Sequence, residues 1–351
     1  MTVHIALDAM GGDNAPRAII EGMLEVRKKR PEIIFTLVGM EGRIREELDA
    51  LGVEEDGFRI WHASEVVEMD EKPAIALRSK KDSSMRVGAN LVKQGEVDAF
   101  VSAGNTGALM ATAKFVLKTL RGIDRPAIAS VIPAVGGETL MLDLGANVDC
   151  SSEHLCQFAL MGSIFSNAVL GVQHPRVGLL NIGEEDMKGN EQVREAGEEL
   201  KNRSATLIPD GMYVGNVEGT DIFKDSVDVV VCDGFVGNVS LKSIEGTAKM
   251  LTHYLREAFS QNWLTKLMYL VAKPALRCFR DQMDPRKHNG AILLGLNGVV
   301  VKSHGSADEV AYAHAIKVAV DLAEKEVTGR IRDAVARFEA ETKAEPAAKV
   351  G

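Results

Sequence analysis

The sequence predicts an α/β fold, a mostly parallel sheet with helices on both faces, and three observations predict it. Six short apolar segments end at Asp8, Ser102, Asp143, Asn181, Asp233 and Ser303, and each passes through a cluster of Gly with Asp, Asn, Ser, Thr or His into a helical pattern. The turn at Gly136 and Gly137 separates two further apolar runs, which adds one antiparallel hairpin. Finally, 351 residues that are 46% hydrophobic and 26% charged suffice for a substantial core. No repeat of solenoid length accompanies the strand-loop-helix units. Right-handed crossovers between parallel strands would gather all six loops on one edge, where open α/β sheets bind ligands. The domain is expected over residues 1–330, with a charged, Ala-rich extension at 331–351.

In chain order, Thr2 to Leu7 reads as the first strand and Asp8 to Pro16 as its loop. Asp13 or Asn14 serves as cap there, and Pro16 suits the first turn of a helix that runs to about Arg30. Ile33 to Val38 is strand, Glu41 to Leu51 helix and Phe58 to His62 strand. Glu65 to Asp82, charged and holding Pro73, reads as a loop with room for a short helix. The apolar spacing of Met85, Ala89, Leu91 and Val92 makes Ser84 to Gln94 a helix. Val97 to Val101 is the next strand, and Ser102 to Ala108 opens a helix to about Leu120. Ala127 to Ile132 and Thr139 to Leu142 form the hairpin; Asp143 to Asp149 then leads into a long apolar helix, Ser152 to Leu170. Val177 to Ile182 is a buried strand, followed by a charged loop and a helix from Glu191 to Lys201. Val227 to Cys232 is a strand whose loop, Asp233 to Asn238, opens a helix to about Phe259. Val299 to Lys302 is the last strand, and Ser303 to Asp308 leads into the helix Glu309 to Glu326.

A formal charge of −9 and a pI near 5.5 argue against nucleic-acid binding, which wants a basic face to displace counterions. Cys150, Cys156, Cys232 and Cys278 make neither a C-x-x-C pair nor a zinc spacing with the histidines, and read as reduced thiols of a cytoplasmic protein. The opening MTVHIALDAMGG lacks the basic and apolar regions of a signal peptide, and no apolar run approaches the roughly 18 to 20 residues needed to span a bilayer.

Loops rich in Gly, Asn, Thr and Ser suit close approach of backbone amides to a phosphate. Lys188 sits in the loop after Ile182, with Asn190 two residues on at the start of a helix, so an ammonium and an amide could meet an anion there. The nucleotide signatures fail: there is no G-x-x-x-x-G-K-[ST], and Gly104 to Gly107 lacks the dinucleotide glycine spacing. No G-x-S-x-G elbow indicates covalent catalysis, and Cys232, at a strand end, reads as packing. His304 has a suitable unperturbed pKa for proton transfer but stands alone. Asp8, Asp13, Asp143 and Asp233 sit in separate loops at capping positions and read as caps rather than as a metal cluster.

Residues 262–288 differ from the rest of the chain. Trp263, Leu264, Leu267, Met268, Leu270 and Val271 line a short helix expected to break at Pro274. Six Lys or Arg against two Asp make the segment locally basic, so it could lie in a membrane interface, receive an acidic partner or pack in a dimer.

Taken together, IALDAMGGDNAP (5–16), SAGNTGALMA (102–111), LDLGANVDC (142–150), LLNIGEEDMKGNE (179–191), DGFVGN (233–238) and KSHGSAD (302–308) closely resemble the bacterial phosphate acyltransferases of phospholipid synthesis, the PlsX family. The resemblance runs over about residues 2 to 330. It implies a Rossmann-like α/β/α sandwich similar to phosphotransacetylases and isopropylmalate-type dehydrogenases. It also implies transfer of a fatty acyl group from the thioester of acyl carrier protein to inorganic phosphate, giving acyl phosphate for a downstream glycerol-3-phosphate acyltransferase. A homodimer working at the inner face of the cell membrane is implied as well; no cofactor is expected, and no residue is assigned to a metal. On this resemblance Lys188 is the first candidate for catalysis, since the family places an essential lysine in this motif. Asn238 and His304 are the other catalytic candidates, and Gly11, Gly12, Asp13, Asn14, Asn105, Thr106, Asn147 and Asp233 the candidates for phosphate. Trp263, Lys266, Leu267, Lys273, Arg277 and Arg280 would meet carrier protein or membrane. A phosphotransacetylase-like enzyme acting on acyl-CoA and a non-catalytic scaffold at the membrane stay open as alternatives.

Overall fold

A computed structural model describes residues 2–54, 57–282 and 284–348, apart from the side chains of 275, 277–282, 285, 339 and 341–348. The first half alternates strand and helix: β1 (His4–Asp8), α1 (Arg17–Lys29), β2 (Ile34–Gly39), α2 (Glu41–Leu51), β3 (Phe58–His62), α3 (Pro73–Ser79), α4 (Ser84–Gln94), β4 (Ala99–Ser102) and α5 (Thr106–Leu117). The hairpin β5 (Ala127–Ala134) and β6 (Gly137–Leu142) follows, then α6 (Ser152–Phe165), which ends in a π-helical turn to Leu170. Next come β7 (Arg176–Leu180), α7 (Glu191–Asn202), α8 (Ser204–Leu207), β8 (Met212–Val217), β9 (Val229–Val231), α9 (Gly234–Ser260) and α10 (Trp263–Gln282). The chain closes with β10 (Ala291–Leu294), β11 (Val299–Lys302), α11 (Glu309–Glu324) and α12 (Val327–Ala348).

These strands form one eleven-stranded sheet in the order β3-β2-β1-β4-β11-β10-β5-β6-β9-β7-β8. The expected mostly parallel α/β architecture is present, but the six loops do not share one edge. β3, β2, β1, β4 and β11 are mutually parallel. β10 is antiparallel to both β11 and β5, and β6 is antiparallel to β5, so β6, β9, β7 and β8 run opposite to the first set. The loops at Asp8, Ser102 and Ser303 therefore lie at one edge and those at Asp143, Asn181 and Asp233 at the other. The cause is the Gly136–Gly137 hairpin: β5, joined through antiparallel β10, runs with the first set, and β6 turns back, so β9, β7 and β8, which pair onto β6 in parallel, run the other way, while β11 returns beside β4 in the original direction.

Side chains alternate across the sheet, and the two faces are covered differently. On one face a single apolar cluster runs from Leu7 and Val101 through Val301, Leu142 and Val231 to Leu179, roofed by α1, α6, α7 and α11. The other face is split. Ala6, Phe100 and Val300 pack with α4 and α5, whereas Met141, Val230 and Val217 form a second cluster with Leu241 and Ile244 of α9 against it.

Three further differences from the sequence reading have local causes. β8 and β10 were not foreseen: β8 is punctuated by Gly215 at φ +99, and β10 is only four residues long. α10 continues through Pro274 rather than breaking. The proline removes one helical hydrogen bond to the carbonyl of Leu270, and on an exposed helix water can satisfy that oxygen. Finally, the segment after residue 330 does not begin as a tail, because Ile331, Ala334 and Val335 of α12 are buried in the main core and the Arg203 guanidinium lies 4.6 Å over the Phe338 ring.

Candidate active site

The edge where β6, β9 and β7 end holds Lys188, Asn238, Asn147 and Asp233 close along the sheet, since β9 lies between the other two strands. Asp143 organises the β6 loop. Its buried carboxylate accepts the amides of Ile128 at 2.9 Å, Gly145 at 3.2 Å, Ala146 at 3.0 Å and Asn147 at 2.8 Å, and the Asn147 side-chain amide at 2.9 Å. Burial lifts this carboxyl above the usual range against those five donors, which favour its charged form. Asn147 is buried and also donates to Pro126 O at 2.8 Å, so it holds the loop together.

The start of α9 is seated on that loop. Asp233 caps the helix by accepting from Val236 N at 2.8 Å, and Gly234 N donates to Asn147 O at 2.7 Å. A Cβ on Gly237 would fall 1.8 Å from Asp143 O, so only glycine permits this approach. One residue on, Asn238 is exposed, its side chain makes no hydrogen bond among the described residues, and it lies over Gly145, whose added Cβ would be 3.6 Å from the Asn238 side-chain oxygen.

Lys188 belongs to a loop shaped by asparagines. Asn181 donates to Lys188 O at 3.1 Å, Asn216 of β8 donates to Glu185 O at 3.0 Å, and Asn190 caps α7 by accepting from Val193 N at 2.9 Å. Gly189 combines φ +86 with a space in which a Cβ would meet Asn181 Oδ1 at 2.6 Å. The loop is thus fixed while the Lys188 side chain is exposed and makes no ion pair among the described residues. Exposed apolar side chains stand on the same three loops, Ile182 and Met187 beside Lys188, Val148 after Asn147, and Phe235 and Val239 flanking Asn238.

At the opposite edge the loops after β1, β4 and β11 interlock. Asp13 N donates to Gly305 O at 2.8 Å, and a Cβ on Gly12 would sit 2.8 Å from that oxygen. Gly11 is held against Asp8 Oδ2 and the Gly104 amide. Asn14 donates to Ala307 O at 3.0 Å; Asn105 donates to Met69 O at 2.8 Å and Glu71 O at 2.9 Å and caps α5 through Ala108 N. Both amides are committed to neighbouring loops, and Thr106, the first residue of α5, is exposed. His304 accepts from Ser306 N and meets Ser306 Oγ at 2.9 Å through Nδ1. Burial lowers its pKa, Glu245 opposes this, and Lys242, Lys302 and Lys249 reinforce it, so the ring is neutral at pH 7.

The two edges are not independent, because α9 connects them. Lys242 and Glu245, paired at 2.9 Å, and Lys249 stand four, seven and eleven residues after Asn238, on one helical face. Lys242, Glu245 and Lys249 are, with Lys302, the charges that His304 senses, and Lys242 also acts on Lys302. Asn238 is one turn, about 6 Å, from Lys242. The sequence reading missed Lys302. It is buried at the end of β11, and a lysine ending a strand gives no sign of that in sequence.

The cysteines described are poor nucleophiles: burial pushes Cys150 up to about 11 and Cys156 up to about 12, and raises Cys232 well above its ordinary value. Among the described residues no group of His, Cys, Asp and Glu is arranged to hold a metal, and no helix is long and apolar enough to cross a membrane. Of the residues expected at a surface, Trp263, Lys266, Leu267 and Lys273 are exposed on α10, while the side chains of Arg277 and Arg280 lie outside the described residues.

A family profile described as fatty acid synthesis protein matches residues 3–330. The chain is 88% identical to a phosphate acyltransferase of Magnetococcus marinus over 97% of both chains, and 56% identical to one of Methylococcus capsulatus over 93% of this chain and 95% of that one. In fold it is similar to a phosphotransacetylase from Streptococcus pyogenes (TM-score 0.61, 20% identity, 92% and 94% of the two chains covered) and to the EutD phosphotransacetylase from Staphylococcus aureus (TM-score 0.58, 14% identity, the same coverage). With an architecture shared with transacetylases and similarity to those two transferases along nearly its whole length, the chain belongs to the fatty acid synthesis protein family, among its phosphate acyltransferases.

Proposed function

We propose that this enzyme transfers a fatty acyl group from the thioester of acyl carrier protein to inorganic phosphate, releasing acyl phosphate for a glycerol-3-phosphate acyltransferase. One observation carries the reading: the ends of three adjacent strands present an unpaired ammonium, an unbonded amide and exposed apolar side chains together. A phosphate oxygen attacks the thioester carbonyl, the new carbon–oxygen bond forms, and the carbon–sulfur bond breaks to release the carrier thiolate. Phosphate is already nucleophilic, so the protein supplies position and charge rather than a covalent intermediate. Lys188 and the Asn238 amide stabilise the carbonyl oxygen as it becomes an oxyanion, and the exposed apolar residues beside them suit the acyl chain.

The exposed apolar and basic surface of α10 supports a homodimer that meets the cytoplasmic face of the membrane and the acidic carrier protein. The deciding experiment mixes acyl carrier protein thioester with phosphate and looks for acyl phosphate by mass spectrometry. Acyl phosphate that forms only with phosphate present is the expected result; thioester that stays intact ends the reading. Replacing the carrier by coenzyme A in a parallel reaction identifies the donor, and faster turnover of acyl-CoA would overturn the carrier assignment.

A further inference from the structure

Lys302 is a buried ammonium that the reaction above does not use. It ends β11 in register with Ser102 at the end of β4, and Ser102 Oγ donates to Asp8 Oδ2 at the end of β1 at 2.6 Å. The three side chains form one buried row, with Asp8 1%, Ser102 0% and Lys302 8% exposed. Alternation directs the row to the face shared with Ala6, Phe100 and Val300. That is the split face, and Lys302 stands beside the break between its two apolar clusters, across which α9 brings Lys242.

The charge of Lys302 has no partner in contact. Its Nζ donates to Ala103 O at 3.4 Å and to Ser303 O, and it makes no ion pair among the described residues. Asp8 is the nearest buried carboxylate in the row, but its oxygens are taken by Ser102 Oγ and by Met10 N at 3.2 Å. Asp13 acts on Lys302 only electrostatically. Carbonyls satisfy N–H donors without neutralising the charge, and a buried charge lacking a counter-ion is unfavourable. Burial accordingly lowers the Lys302 pKa to about 8, against the pull of Asp8 and Asp13 and with Lys242 adding to the shift. The surrounding loop is rigid, since Asn289 donates to Ser303 Oγ at 2.8 Å and to Ala311 O at 2.7 Å and accepts from His304 N at 2.9 Å.

We propose that Lys302, with Lys242 and His304 at its mouth, forms a subsite for a phosphate group of the substrates, distinct from the Lys188 and Asn238 pair and joined to it by one turn of α9. The inference rests on the proposed acyl transfer for its setting. That reaction offers two phosphate groups of the same chemistry, orthophosphate itself and the phosphodiester of the carrier's pantetheine arm. An anion there completes the charge pairing that the fold leaves open, and the neutral His304 can donate to it from Nε2.

The test uses the full chain with Lys302→Met and with Lys242→Ala, whose side chain is exposed. KM is measured for orthophosphate and for the carrier thioester, and binding of orthophosphate to the free enzyme is followed by equilibrium dialysis. Loss of a charged hydrogen bond should raise one of the two KM values about tenfold or more in Lys302→Met, and to a smaller extent in Lys242→Ala. A rise for orthophosphate, with weakened dialysis binding, assigns the subsite to orthophosphate. A rise for the carrier thioester that vanishes with an acyl-pantetheine lacking the phosphodiester assigns it to the arm. If folded Lys302→Met keeps both KM values within twofold, the subsite does not exist. Should that variant fail to fold, unchanged KM values in Lys242→Ala overturn the proposal equally. Failure of the wild-type chain to make acyl phosphate ends the acyl-transfer reading separately, and dialysis then decides the subsite alone: binding weakened by either substitution supports it, and binding absent or unaltered refutes it.

Discussion

Lys188 and Asn238 are exposed and bear little on the fold, so their loss separates chemistry from stability. Lys188→Ala should lower turnover about a hundred- to a thousandfold, as loss of one oxyanion donor does, while the unfolding free energy moves by about 0.5 kcal/mol or less. Near-native acyl phosphate formation by folded Lys188→Ala would exclude it from the reaction. Asn238→Ala should behave alike, and the double variant should lose less than the product of the two effects if both groups serve one oxygen. Gly237→Ala is the structural counterpart. Its Cβ would overlap the Asp143 carbonyl, so α9 must shift, with a cost of about 1–3 kcal/mol or more in urea unfolding. At this scale the sequence was legible where a residue type announces itself. A lysine between Gly183 and Gly189 after an apolar run reads as a loop charge, and Lys188 is one. Lys302 was not legible, because its burial depends on Asp8 and Ser102, which lie hundreds of positions or a whole strand pair away in the chain.

Among the elements, β7 and β9 are registered by one ion pair. Arg176, at the start of β7, donates to Asp228 just before β9 through its backbone N at 2.7 Å, Nε at 2.9 Å and Nη2 at 2.9 Å, and reaches Asp225 at 2.8 Å. Burial alone would raise the Asp228 carboxyl; the Arg176 bonds outweigh it and hold the group below its usual range. A depressed folded pKa contributes stability above the unfolded value, near 4, and loses it as pH falls through the folded value. Asp228→Asn should therefore cost about 1–3 kcal/mol at pH 7, and its deficit relative to wild type should shrink below about pH 4. An equal deficit at pH 3 and pH 7 in urea titrations would show that the carboxylate charge is not its source. Most of the elements were legible because their apolar runs end in Gly and polar caps, as at Ser151, Asp233 and Asp308. Strand direction was harder to read. The Gly136–Gly137 hairpin was visible, yet its effect on β6, β9, β7 and β8 depends on β10, a four-residue strand without periodicity that inserts between β11 and β5.

Across the whole molecule the least self-sufficient part is the pair of helices α9 and α10. They touch each other, with Phe259 and Tyr269 edge to face at 5.6 Å, but leave Met250, Leu251, Tyr254 and Leu255 exposed on α9 and Trp263, Leu264, Leu267 and Met268 exposed on α10. Soluble monomers rarely leave so contiguous an apolar surface in water. Two occupants are chemically reasonable, and they separate along the chain. Leu251 and Leu255 are four apart on α9 with Met250 and Tyr254 exposed beside them, which suits a self-complementary face against a second copy. Leu267 stands between Lys266 and Lys273 on the basic helix, which suits an anionic lipid surface. On the proposed homodimer, changing both Leu251 and Leu255 to Glu should give a monomer in light scattering with an unaltered circular dichroism spectrum, since neither side chain is buried in the core, and a wild-type chain that is itself monomeric overturns the dimer. Leu267→Glu should leave the dimer intact and abolish flotation with anionic vesicles. If Leu267→Glu instead dissociates the dimer while the α9 pair does not, α10 binds the second copy and the assignment of the dimer to the α9 face is overturned.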